Sequence, residues 1–196
     1  MRIGIIGNKQ YNKDIFFDNL RNFAIETTIS EEFSEFFIIF KQIPIRVKLF
    51  LAENLEEIIK NYNKIEKLDV IILTIDLSDK KSIYQYYKNI IDEFKETYYF
   101  QGISILVGID MNQIFKKKAL KNIRVSRYSL EDTTKYLNLI YCYEIYNKNK
   151  DVIEIYRRFI NDFIFRFRYS NQELFEKARL YGERLIKESD NQIQYF

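Results

Sequence analysis

Short apolar runs alternate along the chain with stretches whose apolar residues recur every three or four positions. The runs Arg2–Gly7, Phe36–Gln42, Arg46–Leu51, Val70–Leu77, Ser104–Gly108 and Leu139–Ile145 predict strands. The periodic stretches Asp14–Ala24, Leu55–Lys60, Lys80–Lys95, Leu130–Leu137 and Asp151–Arg166 predict helices. Such alternation predicts an α/β fold with a six-stranded, mostly parallel sheet and helices on both faces. Few residues separate the second and third strands, which predicts an antiparallel hairpin turning at Ile43–Ile45. The stretch from Asp151 carries a wide apolar stripe, Val152, Ile155, Tyr156, Phe159, Ile160, Phe163, Ile164 and Phe167, as in a helix docked on a sheet. Ser129-x-x-Asp132 has the spacing of a capping box. A second such signal, Ser170-x-x-Glu173, opens an extra C-terminal helix to about Lys187. Its Leu174, Ala178, Tyr181 and Leu185 share one face, which either packs on the chain's own domain or meets a partner. The division that follows is one domain over residues 1–168 and a helical extension over 169–196.

Composition narrows the chemistry. A chain of 196 residues suits one domain with a sizeable core. No apolar run reaches the ~18 residues of a membrane span, and the first residues enter a strand without a leader pattern. Cys142 is the single cysteine and cannot form an internal disulfide, so a reducing, cytoplasmic location is expected. Histidine is absent, which removes the commonest general base and metal ligand. Net charge is +3, from 31 basic and 28 acidic residues, too balanced to expect DNA or RNA as a partner. The basic run Lys116, Lys117, Lys118, Lys121, Arg124 and Arg127 reads as a solvated surface segment. Its functional alternative is a contact with an acidic partner or a peripheral one with an anionic membrane surface.

The opening segment carries the candidate site. The apolar run to Ile6 ends at Gly7, and a polar stretch leads to Lys13 and a second apolar run. This is the strand, loop and helix order of the phosphate-binding pattern G-x-x-x-x-G-K-[ST]. The window from Gly7 reads GNKQYNKD, so Gly7 and Lys13 stand in place. Asn12 replaces the second glycine and Asp14 the hydroxyl residue.

The order of elements and several strings resemble the small GTPases of the Ras and Rab type over residues 1 to about 168. LDVIILTIDLSDKKSI is similar to that family's fourth strand and following turn, ISILVGIDMN to its fifth strand, and LIYCYEIYNKNKDVIEIYRRFI to its sixth strand and last helix. The resemblance implies a P-loop, three-layer G domain that binds GTP or GDP with Mg²⁺. It places Gly7, Asn12, Lys13 and Asp14 around the phosphates, and Asn112 and Lys148 at the base. Asp14, with Thr27 or Thr28, would meet the metal. The family's switch Asp-x-x-Gly-Gln falls on Glu53, Glu56 and Glu57, and the first switch region contains Glu26, Glu31, Glu32 and Glu35. Carboxylates there repel a triphosphate. The base-reading Asn-Lys-x-Asp reads Ile109-Asp110-Met111-Asn112. Hydrolysis needs all positioning groups at once, so the expectation is a pseudoGTPase that binds another protein, with no catalytic residues and no cofactor. The alternatives are a divergent GTPase working through Lys13, and a membrane-surface adaptor working through Lys116–Arg127.

Overall fold

The computed structural model describes residues 1–7, 10–61, 68–77, 92, 96, 100–110 and 125–189. Strand β1 (Arg2–Ile6) leads into helix α1 (Gln10–Phe23). Three strands follow, β2 (Glu26–Ile29), β3 (Ser34–Phe40) and β4 (Ile43–Ala52), and then α2 (Leu55–Asn61). After β5 (Val70–Asp76) and β6 (Ile103–Ile109) come α3 (Arg127–Tyr136) and β7 (Tyr141–Ile145). Helices α4 (Lys150–Ser170) and α5 (Gln172–Glu188) complete the described chain. Apart from residue 92, the predicted helix Lys80–Lys95 lies outside the described residues, as does the basic run apart from Arg127.

One sheet runs in the order β2-β3-β4-β1-β5-β6-β7. Strand β1 is parallel to β4 and β5, and the ladder continues parallel through β6 to β7. The pairs β2–β3 and β3–β4 are antiparallel. Alternate residues of the parallel strands enter two cores. Ile3 and Ile5 of β1, with Val70 and Ile72 of β5, face α1 and α4. Ile6, Ile71, Leu73 and Ile75 face Ile58 of α2, Leu130 of α3 and Leu137, which caps the end of α3. Strands covered on both faces have no polar side, which explains why their sequences read as unbroken apolar runs.

The sheet has seven strands rather than the six expected. The added strand, β2, is exposed at all four positions and lacks an alternating apolar face. Its pairing to β3, Thr27 opposite Phe36 and Thr28 opposite Glu35, carries no apolar signature in the sequence. The hairpin turns at Lys41–Gln42, not Ile43–Ile45: Phe40 pairs with Ile43, and both turn residues have positive φ, 47° and 66°. Neither is the glycine or asparagine that announces such turns. Pro44 is tolerated inside β4 because β1 joins only at Lys48, so β4 is locally an edge there.

Helix limits shift for identifiable reasons. Ser126 rather than Ser129 caps α3, its hydroxyl accepting from Ser129 N at 3.1 Å. Asn171 rather than Ser170 caps α5, accepting from Leu174 N at 3.0 Å, while α4 runs on through Ser170. Helix α5 packs on the β3–β4 hairpin and α4, but not through the face expected. Leu174 and Tyr181 are half exposed, and Gly182 is the residue buried. A β-carbon on Gly182 would stand 1.9 Å from the Gln42 carbonyl oxygen. The missing side chain lets the helix approach the turn, so the contact is centred on a residue without hydrophobic signal.

Candidate functional site

In a doubly wound sheet, ligands collect at the C-terminal ends of the parallel strands, and here β1 delivers Gly7 to that end. Gly7 N donates to Ala52 O at 3.1 Å, which extends the β1–β4 ladder by one bond. A β-carbon on Gly7 would lie 2.0 Å from Thr74 Oγ1. Thr74, nearly buried on β5, donates that hydroxyl to Ile6 O at 3.0 Å. No glycine among the described residues has positive φ. Gly7 is therefore explained by the approach of β5, without any appeal to a phosphate.

The larger departure is in α1, which starts at Gln10 instead of Asp14. Between Gly7 and Lys13 the sequence has no glycine or proline to hold the chain open, and Asn12 is compatible with helix. A phosphate loop works by leaving successive backbone N–H groups free around the anion. With Gln10 and the residues after it in a helix, Lys13 stands one turn inside α1 rather than at its mouth. The residue is only 3% exposed, and it has no hydrogen-bond or ion-pair partner among the described residues. Asp14 follows it, half-buried and engaged in an interaction of its own.

The remaining expected residues do not converge on this turn. Thr28 is exposed on β2, three strand positions from β1, roughly 14 Å across the sheet. Among the described residues no cluster of three or more acidic or cysteine ligands forms. Lys148 Nζ is held by Asp18 Oδ2 at 2.8 Å, and its carbonyl accepts from Asn19 Nδ2 at 3.2 Å. Both bonds tie the loop after β7 to α1, across the place where the resemblance puts a base. Within that loop, Asp151 Oδ2 accepts from Tyr146 N and Asn147 N, each at 2.7 Å. Asn112 lies outside the described residues. Asp110 and Asp76, at the ends of β6 and β5, are buried, and each is engaged in an interaction.

The acidic residues of the switch positions have structural uses. Asn54 Oδ1 accepts from Glu57 N at 2.8 Å, and Glu57 Oε2 accepts from Glu53 N at 2.8 Å, a reciprocal cap on α2. Glu35 pairs across the hairpin with Arg46 at 2.9 Å and Lys48 at 3.9 Å. The residues missed by sequence reasoning are Thr74, Asp18 and Asn19. Asp18 and Asn19 lie five and six residues beyond Lys13 on α1, off its face of the helix, so the helical period does not single them out. Nothing in the sequence marks Thr74.

Protein-family models give no match to the chain, and no curated protein matches it. Of the residues expected around a magnesium–triphosphate, 10–13 are helical, Thr28 is exposed on β2, and Lys148 is engaged by Asp18.

Proposed function

We propose that this protein is a small-GTPase-like pseudoGTPase that acts by binding another protein, as an interaction or regulatory subunit, without turning over GTP. The observation that carries this reading is the start of α1 at Gln10, which puts residues 10–13 of the expected phosphate cradle in a helix. The packing of Gly7 on Thr74 and the Lys148–Asp18 pair support it, since each supplies a structural reason for a residue the family uses on nucleotide. Among the described residues no helix is long and apolar enough to cross a membrane. Calorimetry with GTP or GDP plus Mg²⁺ tests the proposal. No saturable binding is expected, and micromolar or tighter affinity rules it out.

One observation favours a second reading. A lysine buried along most of its length without a described partner is costly, and an anion beside Lys13 would relieve that cost. In this reading the protein is a divergent GTPase with Lys13 on the phosphates, Asp14 or Thr27/Thr28 on Mg²⁺, and Asn112 and Lys148 at the base. Nucleotide binding would then vanish in Lys13→Ala, and binding unchanged in that variant excludes the arrangement.

A further inference from the structure

The end of the sheet opposite Gly7 holds a different concentration of charge. Strand β4 begins there and runs ten residues, about 30 Å, to Ala52 beside Ile6. At that end the β3–β4 turn meets the outer face of α4. Glu154, Arg157, Arg158 and Asn161 fall at i, i+3, i+4 and i+7, one stripe of the helix. Together with Phe40, Lys41 and Tyr143 they line a cavity of about 590 Å³. That volume lies within the ~300–1,000 Å³ usual for small-molecule sites.

Three cations and a single carboxylate line this cavity. Lys41 Nζ donates to Asn161 Oδ1 at 2.8 Å, so a neutral amide aims the ammonium without cancelling its charge. The Arg158 guanidinium lies 5.3 Å over the Tyr141 ring. The Tyr141 hydroxyl donates to Asp162 Oδ2 at 2.7 Å, and the Asp162 carboxylate, after Tyr141 itself, is near enough to raise the Arg158 guanidinium as well, so it offsets part of the positive charge beside the cavity. Arg157 Nη1 pairs with Glu154 Oε1 at 2.8 Å, an exposed contact of little strength. A guanidinium has five N–H donors, so this pair leaves most of them available. Burial pushes the Tyr143 phenol up, so it remains a neutral hydroxyl donor at neutral pH. Two arginine forks, an ammonium and a phenol around one concavity match the charge and the several acceptor oxygens of a phosphoryl group.

We propose that this cavity binds a phosphoryl group, carried either by a small soluble phosphorylated compound or by a lipid headgroup. The site is independent of the β1–α1 turn and does not rest on the reading of that turn. Calorimetry of the full chain with inorganic pyrophosphate, at low salt in phosphate-free buffer, tests it. Saturable binding should weaken about tenfold in Arg157→Gln/Arg158→Gln and less in Lys41→Gln, and should be unchanged in Lys13→Ala. The substituted arginines and Lys41 are exposed, and circular dichroism checks that the variants fold. Flotation with phosphatidylcholine vesicles containing a phosphoinositide separates the two sources. Vesicle binding lost in the double-arginine variant assigns the phosphoryl group to a lipid. Pyrophosphate binding without vesicle binding assigns it to a soluble compound. Absence of saturable pyrophosphate binding overturns the proposal, as does undiminished affinity in the double variant. So does loss of binding in Lys13→Ala, or equal affinity for polyglutamate.

Discussion

Thr74 Oγ1 occupies a position only 2.0 Å from where a β-carbon on Gly7 would stand. The contact makes Gly7 a packing residue between two parallel strands. Gly7→Ala should therefore destabilise the fold by about 2 kcal/mol, the usual cost of forcing atoms into a filled site. Thr74→Ala added to it should recover part of that loss, because the clashing oxygen is gone. Urea unfolding midpoints of the single and double variants measure both effects. A Gly7→Ala protein as stable as the parent contradicts the packing account.

Lys13 gives a prediction of opposite sign. Lys13 is 3% exposed as a residue and has no partner among the described residues, so its charge sits where little water reaches it and no bond replaces that water. Lys13→Met keeps the length of the side chain and removes the charge. Stability should rise by about 1 kcal/mol or more, read from the thermal midpoint of the nucleotide-free protein. A fall would mean that the lysine makes a stabilising interaction in the folded chain.

Gly182 separates helix propensity from packing. Alanine is the better helix former by about 1 kcal/mol, so an unpacked α5 should gain from Gly182→Ala. The structure predicts a loss, because the new β-carbon would meet the Gln42 carbonyl oxygen at 1.9 Å. Hydrogen exchange over Gln172–Glu188 should quicken in the variant as α5 lifts from the β3–β4 turn. Slower exchange there would show that α5 does not depend on this approach.

Tyr156 sets an alkaline limit. It is fully buried between α4 and α1, and burial raises its phenol well above the ordinary value. The unfolded chain loses that proton near pH 10, whereas the folded chain retains it. The unfolded state then binds fewer protons, so stability falls as pH rises above about 10 and is fully present below it. Tyr156→Phe should flatten this limb. It should also cost about 1 kcal/mol at neutral pH, through the lost bond to Phe16 O at 3.0 Å. Denaturant titrations from neutral pH to above pH 10 compare the two proteins, and parallel alkaline limbs would contradict the assignment.

The layered α/β arrangement is legible in the sequence because its parallel strands are buried on both faces. Ile3, Ile5 and Ile6, or the run Val70–Asp76, can hardly read as anything else. What escapes is held by contacts that leave no apolar trace. Strand β2 is exposed on every residue, and the hairpin turn uses Lys41 and Gln42 at positive φ. Helix α5 docks through a glycine. At the candidate site, the spacing of Gly7 and Lys13 is visible in the sequence, but the helical state of residues 10–12 is not. That state depends on the absence of a second glycine, which permits helix without requiring it. Lys148 was visible as a base-site position, while its partner Asp18 is 130 residues away and becomes its neighbour only through the packing of the loop after β7 on α1.

The most direct test of the central claim is the nucleotide content of the purified protein. The chain is isolated without denaturant in the presence of Mg²⁺, then denatured, and the released small molecules are separated by chromatography. The helical state of residues 10–13, which leaves no open cradle there for phosphate, predicts no stoichiometric GTP or GDP. Roughly one guanine nucleotide per chain, lost in Lys13→Ala, would contradict the pseudoGTPase reading.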